Sequence, residues 1–274
     1  MTSSRKMSGD NDSASKKPSG KQDTLYVASL AKGLKLLRLF DRNHTELSLT
    51  ELVKLSAMDK SAVQRLTNTL AVEGFLDRDP VTKRFRPTHA WLGLAYAYYW
   101  SDHLVALAMP KLIDLSQRLG ETVNMAEISG TNIVYVTRLP CQRTNFEATL
   151  VGRSLPALST SPGQAILSTW SREEQAAAIS DWPLRQMTVR TTMDRAELAQ
   201  QIATTAERGY SITQDQMILN EIGISAPIRG SDGIARAAVQ CSVSSFHWTI
   251  DRVEQELVPY LLDAANSIMP PRRG

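Results

Sequence analysis

The sequence predicts an α+β protein of two domains, and three observations carry this prediction. The 274 residues exceed the length of one ordinary domain, and 42% of them are hydrophobic, enough for more than one core. The early segments follow mainly helical periods, whereas later segments alternate between helical and strand patterns. Residues 1–100 carry 16 Lys and Arg against 10 Asp and Glu, and residues 101–274 carry 15 against 18. A basic first part suits a polyanionic partner, and the second part should have a different role.

The chain begins with a polar stretch and a first helix. Residues 1–23 are rich in Ser, Lys, Asp and Gly and are expected to form a disordered basic arm, which either adds phosphate contacts or has no role. Residues 25–42 predict a helix that packs against the next two helices. The apolar positions expected on its packed face are Leu30, Leu34, Leu37 and Phe40.

Residues 49–75 predict two helices joined by a tight turn at residues 57–59. Ser48 or Thr50 can cap the first helix, and Asp59 can cap the second. The first helix should bury an apolar face formed by Leu52, Val53 and Leu55.

The second helix of this pair has two different sides. Its core-facing positions at helical spacing are Val63, Leu66, Thr67 and Leu70. The outer side carries no acid, so its side chains can donate hydrogen bonds to base edges or phosphates. These outer residues are Lys60, Ser61, Gln64, Arg65 and Asn68. We expect Ser61, Gln64 and Arg65 near base edges and Lys60 on a phosphate, although helical hairpins also occur in ordinary α-domains.

Residues 75–87 predict a β-hairpin, because an Asp79-Pro80 turn separates apolar residues on either side. The hairpin carries Lys83, Arg84 and Arg86, for which the alternative to a phosphate contact is a solvated surface charge. Three helices followed by a basic hairpin form a winged helix-turn-helix, which places its recognition helix in the major groove. Residues 24–88 are therefore expected to bind double-stranded DNA.

Residues 89–103 predict a linker helix that is apolar and aromatic nearly all round. One intramolecular face cannot bury so many large side chains, so we expect the helix to dimerise. The alternative is burial in the following domain. The residues expected at the dimer contact are Trp91, Leu94, Ala95 and Tyr98.

Residues 104–274 predict an α+β domain with one mainly antiparallel sheet. Strand patterns occur at residues 122–128, 132–139, 144–150, 210–216, 223–228 and 234–243. Helical patterns occur at residues 109–119, 161–170, 173–179, 194–208 and 251–268.

Several function classes find no support in the sequence. The four histidines are scattered, and no HExxH, GxSxG or Gly-rich phosphate loop is present, so we expect no catalytic residue and no cofactor. Cys141 and Cys241 lack a CxxC spacing, so we expect buried thiols in a reducing compartment and no metal site. No membrane span or signal peptide is expected, which favours the cytoplasm. The rival functions are an enzyme with a fused helical module and an architectural DNA-binding protein without a ligand.

From about residue 25 onward the chain resembles the IclR family of bacterial transcriptional regulators. The resemblance rests on SLAKGLKLL from Ser29, on the block LTELVKLSAMDKSAVQRLTNTLAVEGFLDRDPVTKRFRPT, and on GYSITQDQMILNEIGISAPI from Gly209 followed by AAVQCSVS from Ala237. It implies a winged helix domain, a linker helix and a GAF-like effector domain, assembled as a dimer or a dimer of dimers. The implied function is a repressor or activator that responds to a small organic acid.

Within the family, YVTRLPCQR from Tyr135 and VGRSLPALSTSPGQAIL from Val151 are similar to regulators of protocatechuate and 4-hydroxybenzoate catabolism. Arg138 and Arg143 could hold a carboxylate bidentately, and the alternative for either is a surface salt bridge. Where glyoxylate-type members carry an aspartate, a cysteine and two serines, this chain carries Thr213, Gly223, Gln240 and Ser242, which should make the pocket roomier and less acidic. An aromatic acid is then the expected effector. The other positions carried over by resemblance are Leu155, Ser161, Pro162 and Gly163.

Overall fold

The structure is a computed structural model that describes residues 25–141 and 151–268. The chain divides into two compact units between residues 101 and 102. Three sequence-based expectations lie outside the described residues: the basic arm at residues 1–23, the strand at residues 144–150, and the ligand role of Arg143.

The first unit begins with three helices: α1 (Ala28–Leu37), α2 (Leu49–Ser56) and α3 (Lys60–Val72). Ser48 and Glu51 form a capping box, in which each side chain accepts a hydrogen bond from the backbone N–H of the other. Asp59 caps α3 by accepting from the N–H of Ala62 at 2.8 Å. Both predicted caps, at Ser48 and Asp59, are confirmed.

The predicted packing face of α1 was partly wrong. Leu30 is 61% exposed and Leu34 is 45% exposed, whereas Leu36 is fully buried. The buried stripe runs instead through Gly33, Leu36, Leu37 and Phe40. Gly33 faces α3, and a Cβ there would make an ordinary van der Waals contact of 3.9 Å with Leu66 Cδ2. On α2, Leu55 is also more exposed than expected.

A hairpin follows, with strands β1 (Leu76–Arg78) and β2 (Phe85–Pro87), and confirms the predicted wing. Asp79 shapes the turn because its carboxylate accepts from the N–H groups of Val81 and Thr82, at 2.9 and 2.6 Å. Phe85 also exchanges two backbone hydrogen bonds with Leu47, at 2.9 and 2.8 Å. The hairpin is thereby tied to the strand-like residue that precedes α2.

Helix α4 (Ala90–Ser101) closes the first unit and buries none of its side chains. Its surface carries Leu92, Leu94, Tyr96, Tyr98 and Trp100, all exposed. The expectation of a helix that is apolar all round is confirmed.

The second unit is built on a six-stranded antiparallel sheet in the order β5-β4-β3-β8-β7-β6. Its strands are β3 (Thr122–Ser129), β4 (Asn132–Leu139), β5 (Ser154–Pro156), β6 (Ser211–Gln214), β7 (Glu221–Arg229) and β8 (Ala235–Ser244). Its helices are α5 (His103–Leu119), α6 (Ser161–Leu167), α7 (Arg172–Asp181), α8 (Arg195–Arg208), α9 (Ile250–Glu256) and α10 (Val258–Ser267). A 3-10 turn at Ala157–Ser159 precedes α6. The expected α+β class is confirmed.

The sheet is covered on both sides, because consecutive residues of β8 are buried regardless of the face on which they lie: Val239, Gln240 and Cys241 are at most 2% exposed. Helix α6 packs on the face that carries Ala126 and Ala238. Burial raises the pKa of the Cys241 thiol, which agrees with the expected buried, unreactive cysteine.

Two helix boundaries differ from the prediction for reasons that involve proline. Helix α5 begins at His103 rather than at residue 109, and it continues through Pro110, where the sequence pattern suggested a start. The predicted helix at residues 251–268 is two helices, α9 and α10, separated at Leu257. Pro259 explains the separation, because it has no N–H to donate to the carbonyl of Gln255.

Candidate DNA interface and effector site

The outer side of α3 is exposed as predicted. Val63 and Thr67 are buried in the core, whereas the five outer polar residues face solvent. A concavity of about 530 Å³ lies between α3 and the hairpin. Its lining includes Ser61, Gln64, Arg65, Asn68, Arg78 and Phe85. Four of the five α3 residues predicted to meet DNA therefore share one concave surface, whereas Lys60 and the hairpin residues Lys83, Arg84 and Arg86 are not part of its lining.

Lys83, Arg84 and Arg86 of the hairpin form hydrogen bonds or ion pairs with other residues of the chain. Arg84 lies 2.8 Å from a carboxylate oxygen of Glu51 and donates to the backbone carbonyl of Glu46 at 2.9 Å. Arg86 lies 2.7 Å from the Asp77 carboxylate. Lys83 adopts a positive φ of 59° and donates to the carbonyl of Pro80 at 2.6 Å. The phosphate contacts predicted at these three positions stay predictions. Within the chain, Arg84 connects the hairpin to α2.

Glu51 takes part both in the ion pair with Arg84 and in the cap of α2. The Ser48 backbone N–H, the Ser48 side chain and the Arg84 guanidinium together lower the pKa of Glu51 from 4.5 to about 2. A carboxylate held ionised in this way stays paired with Arg84 over the whole neutral range. The geometry of the hairpin relative to α2 is therefore fixed by a charged contact as well as by the Leu47–Phe85 backbone bonds.

The sequence analysis missed Arg78, which lines the concavity from the first strand of the hairpin. Its guanidinium carbon lies 5.4 Å from the centroid of the Phe85 ring. The signal was available, because Arg78 occupies the same side of β1 as buried Leu76 and therefore points toward the helices, not away from them.

In the second unit a row of polar side chains crosses the sheet on one face. Residues directly opposite in antiparallel strands share a face, and the register aligns one residue from each of five strands. The row comprises Arg138, Asn124, Gln240, Ser225 and Ser211. All but half-buried Arg138 are at most 2% exposed. So many polar groups in the interior must be hydrogen-bonded to one another or to a ligand.

A chain of hydrogen bonds runs along part of this row. Arg138 Nη1 donates to Asn124 Oδ1 at 3.0 Å, and Asn124 Nδ2 donates to Gln240 Oε1 at 2.5 Å. Gln240 Nε2 then donates to Ser242 Oγ at 2.8 Å. Nε of Arg138 is buried and has no hydrogen-bond partner within the described part of the chain. The chain orients Asn124 and Gln240, and it leaves a guanidinium donor free.

Five of the residues carried over by resemblance lie at or around Gly223. Thr213 and Ser242 lie opposite Gly223 in the register of β6, β7 and β8. A Cβ added at Gly223 would lie 2.9 Å from Ser161 Oγ, 3.2 Å from Thr213 Oγ1 and 3.3 Å from Gln240 Nε2. The missing side chain is thus what allows these polar groups to converge.

Helix α6 brings Ser161 onto this face of the sheet. Ser225 Oγ donates to Ser161 Oγ at 2.9 Å, which joins the helix to the polar row. Gly163 has a packing role, because a Cβ there would lie 2.0 Å from the carbonyl oxygen of Ala157. Pro162 is buried in the same turn.

Two charged groups border the polar row. Burial lowers the pKa of Arg138. Burial raises the pKa of Glu221, against the opposing field of Arg138 and Arg153. Burial also raises the pKa of Tyr135, so this phenol stays protonated at neutral pH. The site combines a guanidinium, a carboxyl and several neutral hydrogen-bonding groups.

These contacts correct the expected character of the pocket. The sequence analysis expected a roomier site at Gly223, but Ser161, Thr213 and Gln240 occupy that space. It also expected a less acidic site and missed Glu221. Asn124 and Ser225 were missed as well, although the alternation Thr122, Asn124, Ala126 along β3 indicated a shared face.

An apolar cluster adjoins the polar row on the same face. Leu155 belongs to it, together with Ala126, Tyr135 and Ala238, which are at most 7% exposed. Trp170 and Met217 pack against the cluster. Apolar side chains beside a few polar groups are the usual composition of a small-molecule site.

Most side chains of helix α4 are exposed, but Trp91 and Tyr99 are half-buried. Trp91 donates its indole N–H to the carbonyl of Phe75 at 2.9 Å, and its ring lies edge-on to Phe40 at 6.3 Å between centroids. Leu94, Ala95 and Tyr98 are exposed. Trp91 therefore has a role within its own unit that the dimer prediction did not include.

Two features are absent from residues 25–141 and 151–268, a metal-binding cluster and a membrane-spanning helix. Within those ranges no cluster of His, Cys, Asp or Glu could hold a metal ion. In the same ranges no helix has the length and apolarity needed to cross a membrane.

Comparison with known proteins agrees with this architecture. Residues 29–80 match the IclR helix-turn-helix domain, and residues 96–269 match the domain described as bacterial transcriptional regulator IclR C-terminal. The chain is 28% identical to the p-hydroxybenzoate hydroxylase transcriptional activator of Acinetobacter baylyi, over 89% of this chain and 91% of that one. It is also 28% identical to the Pca regulon regulatory protein of Pseudomonas putida, over 90% and 84% of the two chains.

Among solved structures, a transcriptional regulator from Rhodococcus sp. RHA1 superposes with a TM-score of 0.77 at 29% identity, over 89% of this chain and 97% of that one. The two domain matches together span most of the chain. The chain therefore belongs to the IclR family and is a ligand-responsive, DNA-binding transcriptional regulator, not an enzyme.

Proposed function

We propose that this regulator senses an aromatic carboxylic acid on the buried polar face of its second unit. The observation that carries the proposal is Arg138: its Nη1 is held by Asn124, and its buried Nε has no hydrogen-bond partner among residues 25–141 and 151–268. A guanidinium group has a planar fork of donors that matches a carboxylate. A ligand carboxylate would supply the acceptor that Arg138 lacks.

The remaining polar groups suit the rest of such a ligand. The Ser242 oxygen accepts a hydrogen bond from Gln240 Nε2, which is oriented by Asn124. The Ser242 hydroxyl can therefore donate its hydrogen to a ligand. Ser161 and Thr213 lie on the other side of Gly223 and can bond a ring substituent. Apolar residues of the adjoining cluster, including Leu155 and Tyr135, provide a surface for a ring.

The relatives support an aromatic acid over a two-carbon acid. The Acinetobacter relative is named for the hydroxylase of p-hydroxybenzoate, and the Pseudomonas relative is named for the Pca regulon. A small acid such as glyoxylate would form hydrogen bonds with the polar groups but would make no contact with the apolar cluster. We expect a hydroxybenzoate to bind more tightly than glyoxylate.

The DNA partner is an operator sequence, contacted by α3. We assign Ser61, Gln64 and Arg65 to base edges, because they line the concavity beside the hairpin. Lys60 and Asn68 are exposed on the same helix and are assigned to the flanking contacts. The regulator would act in the cytoplasm, where bacterial DNA lies.

The regulator is proposed to act as a dimer or a dimer of dimers, joined through α4. This helix exposes Leu94, Ala95 and Tyr98 on a surface with no charged residue. A dimer would present two α3 helices to half-sites about one duplex turn, roughly 34 Å, apart. Effector binding would change operator affinity by changing how α4 packs, and by linkage the operator would change effector affinity by the same factor.

Thermal shift measurements on the full chain test the effector assignment. A ligand that binds only the folded state raises the unfolding free energy by about 2.7 kcal/mol when present at about 100 times its Kd. We expect 4-hydroxybenzoate or protocatechuate to raise the midpoint temperature and glyoxylate to do so much less. The neutral amide of the active acid should be inactive.

Arg138→Gln should abolish the shift, which is measured from the variant's own ligand-free midpoint because the loss of the hydrogen bond to buried Asn124 should lower that midpoint. Arg118→Gln is the matched control, since Arg118 is 58% exposed and is paired with Asp114 on the surface of α5. The assignment is wrong if Arg138→Gln responds to the acid as the parent does. If an aliphatic acid raises the midpoint temperature more than every aromatic acid does, the location of the site stands but the assignment of an aromatic effector is wrong.

A further inference from the structure

The cations of the hairpin separate onto its two faces. Arg86 lies opposite Asp77 in the register, on the face turned away from the buried side chains of the hairpin. Arg78 lies opposite Phe85, which is 5% exposed and belongs to the core. Since side chains alternate along a strand, Arg78 and Arg86 point to opposite sides of the hairpin.

Only one of these faces meets the recognition helix. The concavity of about 530 Å³ contains Arg78 on one wall and Gln64, Arg65 and Asn68 on the other. Arg86 and Arg84 do not contribute to its lining. In a winged helix complex the recognition helix enters the major groove and the hairpin follows the neighbouring backbone, so a sugar-phosphate strand passes between them.

The charges of the hairpin arginines are not equally available. Arg86 donates two hydrogen bonds to one oxygen of Asp77, at 3.1 and 2.7 Å, and Arg84 is held by Glu51. Arg78 forms no ion pair with any acid in residues 25–141 or 151–268, and its guanidinium rests over the Phe85 ring at 5.4 Å. A guanidinium stacked on an aromatic ring has its orientation restricted while its edge donors remain free.

We propose that Arg78 is the phosphate-binding arginine of the hairpin, in place of Arg84 and Arg86. Its guanidinium edge donates to a backbone phosphate that crosses the concavity between α3 and β1. Phe85 positions the guanidinium, and Arg84 sets the hairpin angle through Glu51. Arg86 balances Asp77 on the far face and does not touch DNA.

The salt dependence of DNA binding tests this assignment, with full-length protein and a short duplex of mixed sequence. Arg78→Met removes the charge and keeps an unbranched apolar stem over Phe85. The log-log slope of affinity against salt should lose about 0.9 per protomer. The advantage of the parent over the variant should therefore shrink by about 3.5-fold between about 50 and 200 mM salt. Arg78→Lys should keep the parental slope.

Arg86→Met is the matched control, because it removes an arginine from the same hairpin without emptying the concavity. It should keep the parental slope, whereas Arg65→Met on α3 should change affinity. A parental slope in Arg78→Met, or an equal loss in Arg86→Met, overturns the assignment. If Arg65→Met also binds as the parent does, the DNA face of α3 is wrong as well. Should Arg78→Met fail to fold, Arg78→Gln replaces it under the same criteria.

Discussion

The guanidinium of Arg84 lies 2.8 Å from the carboxylate of Glu51, and this ion pair joins the tip half of the hairpin to the first turn of α2. Glu51 is also the acidic member of the capping box with Ser48. One carboxylate therefore supports a helix start and a wing at once. The orientation of the hairpin against α2 is supported by this ion pair as well as by the Leu47–Phe85 backbone hydrogen bonds.

A double-mutant cycle on Arg84 and Glu51 should give a modest coupling energy. Both side chains are more than one third exposed, so solvent screening limits the coupling to about 0.2–1 kcal/mol. Glu51→Gln should cost more than Arg84→Gln, because it also weakens the helix cap. Urea unfolding of the four proteins measures the cycle. A coupling energy of zero would mean that the ion pair contributes no stability. A second double-mutant cycle on Asp77 and Arg86 is the control, because that ion pair is not part of a helix cap.

The stability contributed by Glu51 should depend on pH. Its pKa is lowered from 4.5 to about 2 on folding, so the unfolded state binds the proton more readily. The contribution is fully present above about pH 5 and is lost as the pH falls from there toward 2. Unfolding free energies of the parent and of Glu51→Gln should therefore converge across this window. A difference between them that stays constant from neutral pH down to the lower limit would contradict the assignment.

Gly223→Ala should disturb the effector site more than the fold. The new Cβ would lie 2.9 Å from Ser161 Oγ and 3.2 Å from Thr213 Oγ1, so these side chains must move. We expect a stability loss of about 1–3 kcal/mol from overpacking and a clearly weaker response to the effector. Isothermal titration and thermal unfolding measure the two effects. Gly33→Ala is the control, since its Cβ would make an ordinary 3.9 Å contact and should leave effector binding unchanged.

Substitution of Trp91 should affect stability, whereas substitution of Leu94 or Tyr98 on the same helix should affect assembly. Trp91→Ala removes a hydrogen bond to Phe75 and an edge contact with Phe40, and should lower the unfolding free energy by about 1–3 kcal/mol. Trp91→Phe loses only the hydrogen bond and should cost less. Leu94→Ala and Tyr98→Ala change exposed side chains and should act on assembly, measured by sedimentation. Unchanged sedimentation in both would count against α4 as the dimer contact.

Local chemistry explains which parts of the first unit were predictable. The caps at Ser48 and Asp59, the core side of α3 and the turn at Asp79 each depend on residues within one or two turns of one another. The buried stripe of α1 was less predictable, because its apolar residues offer two overlapping faces. The choice between Leu34 and Leu36 is made by tertiary packing, which buries Leu36 completely and leaves Leu34 45% exposed.

The sequence by itself determined the α+β class, the winged helix, the family, and Arg138 and Gln240 among the five residues of the polar row, because hydrophobic period, turn chemistry and motif order are local properties. Only the tertiary structure decided how the charges are distributed. It paired Arg84 with Glu51 and Arg86 with Asp77, left Arg78 in the concavity, and joined Arg138 to Gln240 through Asn124. These contacts connect residues from separate helices and strands, and their geometry depends on sheet register and helix packing, which no local pattern encodes.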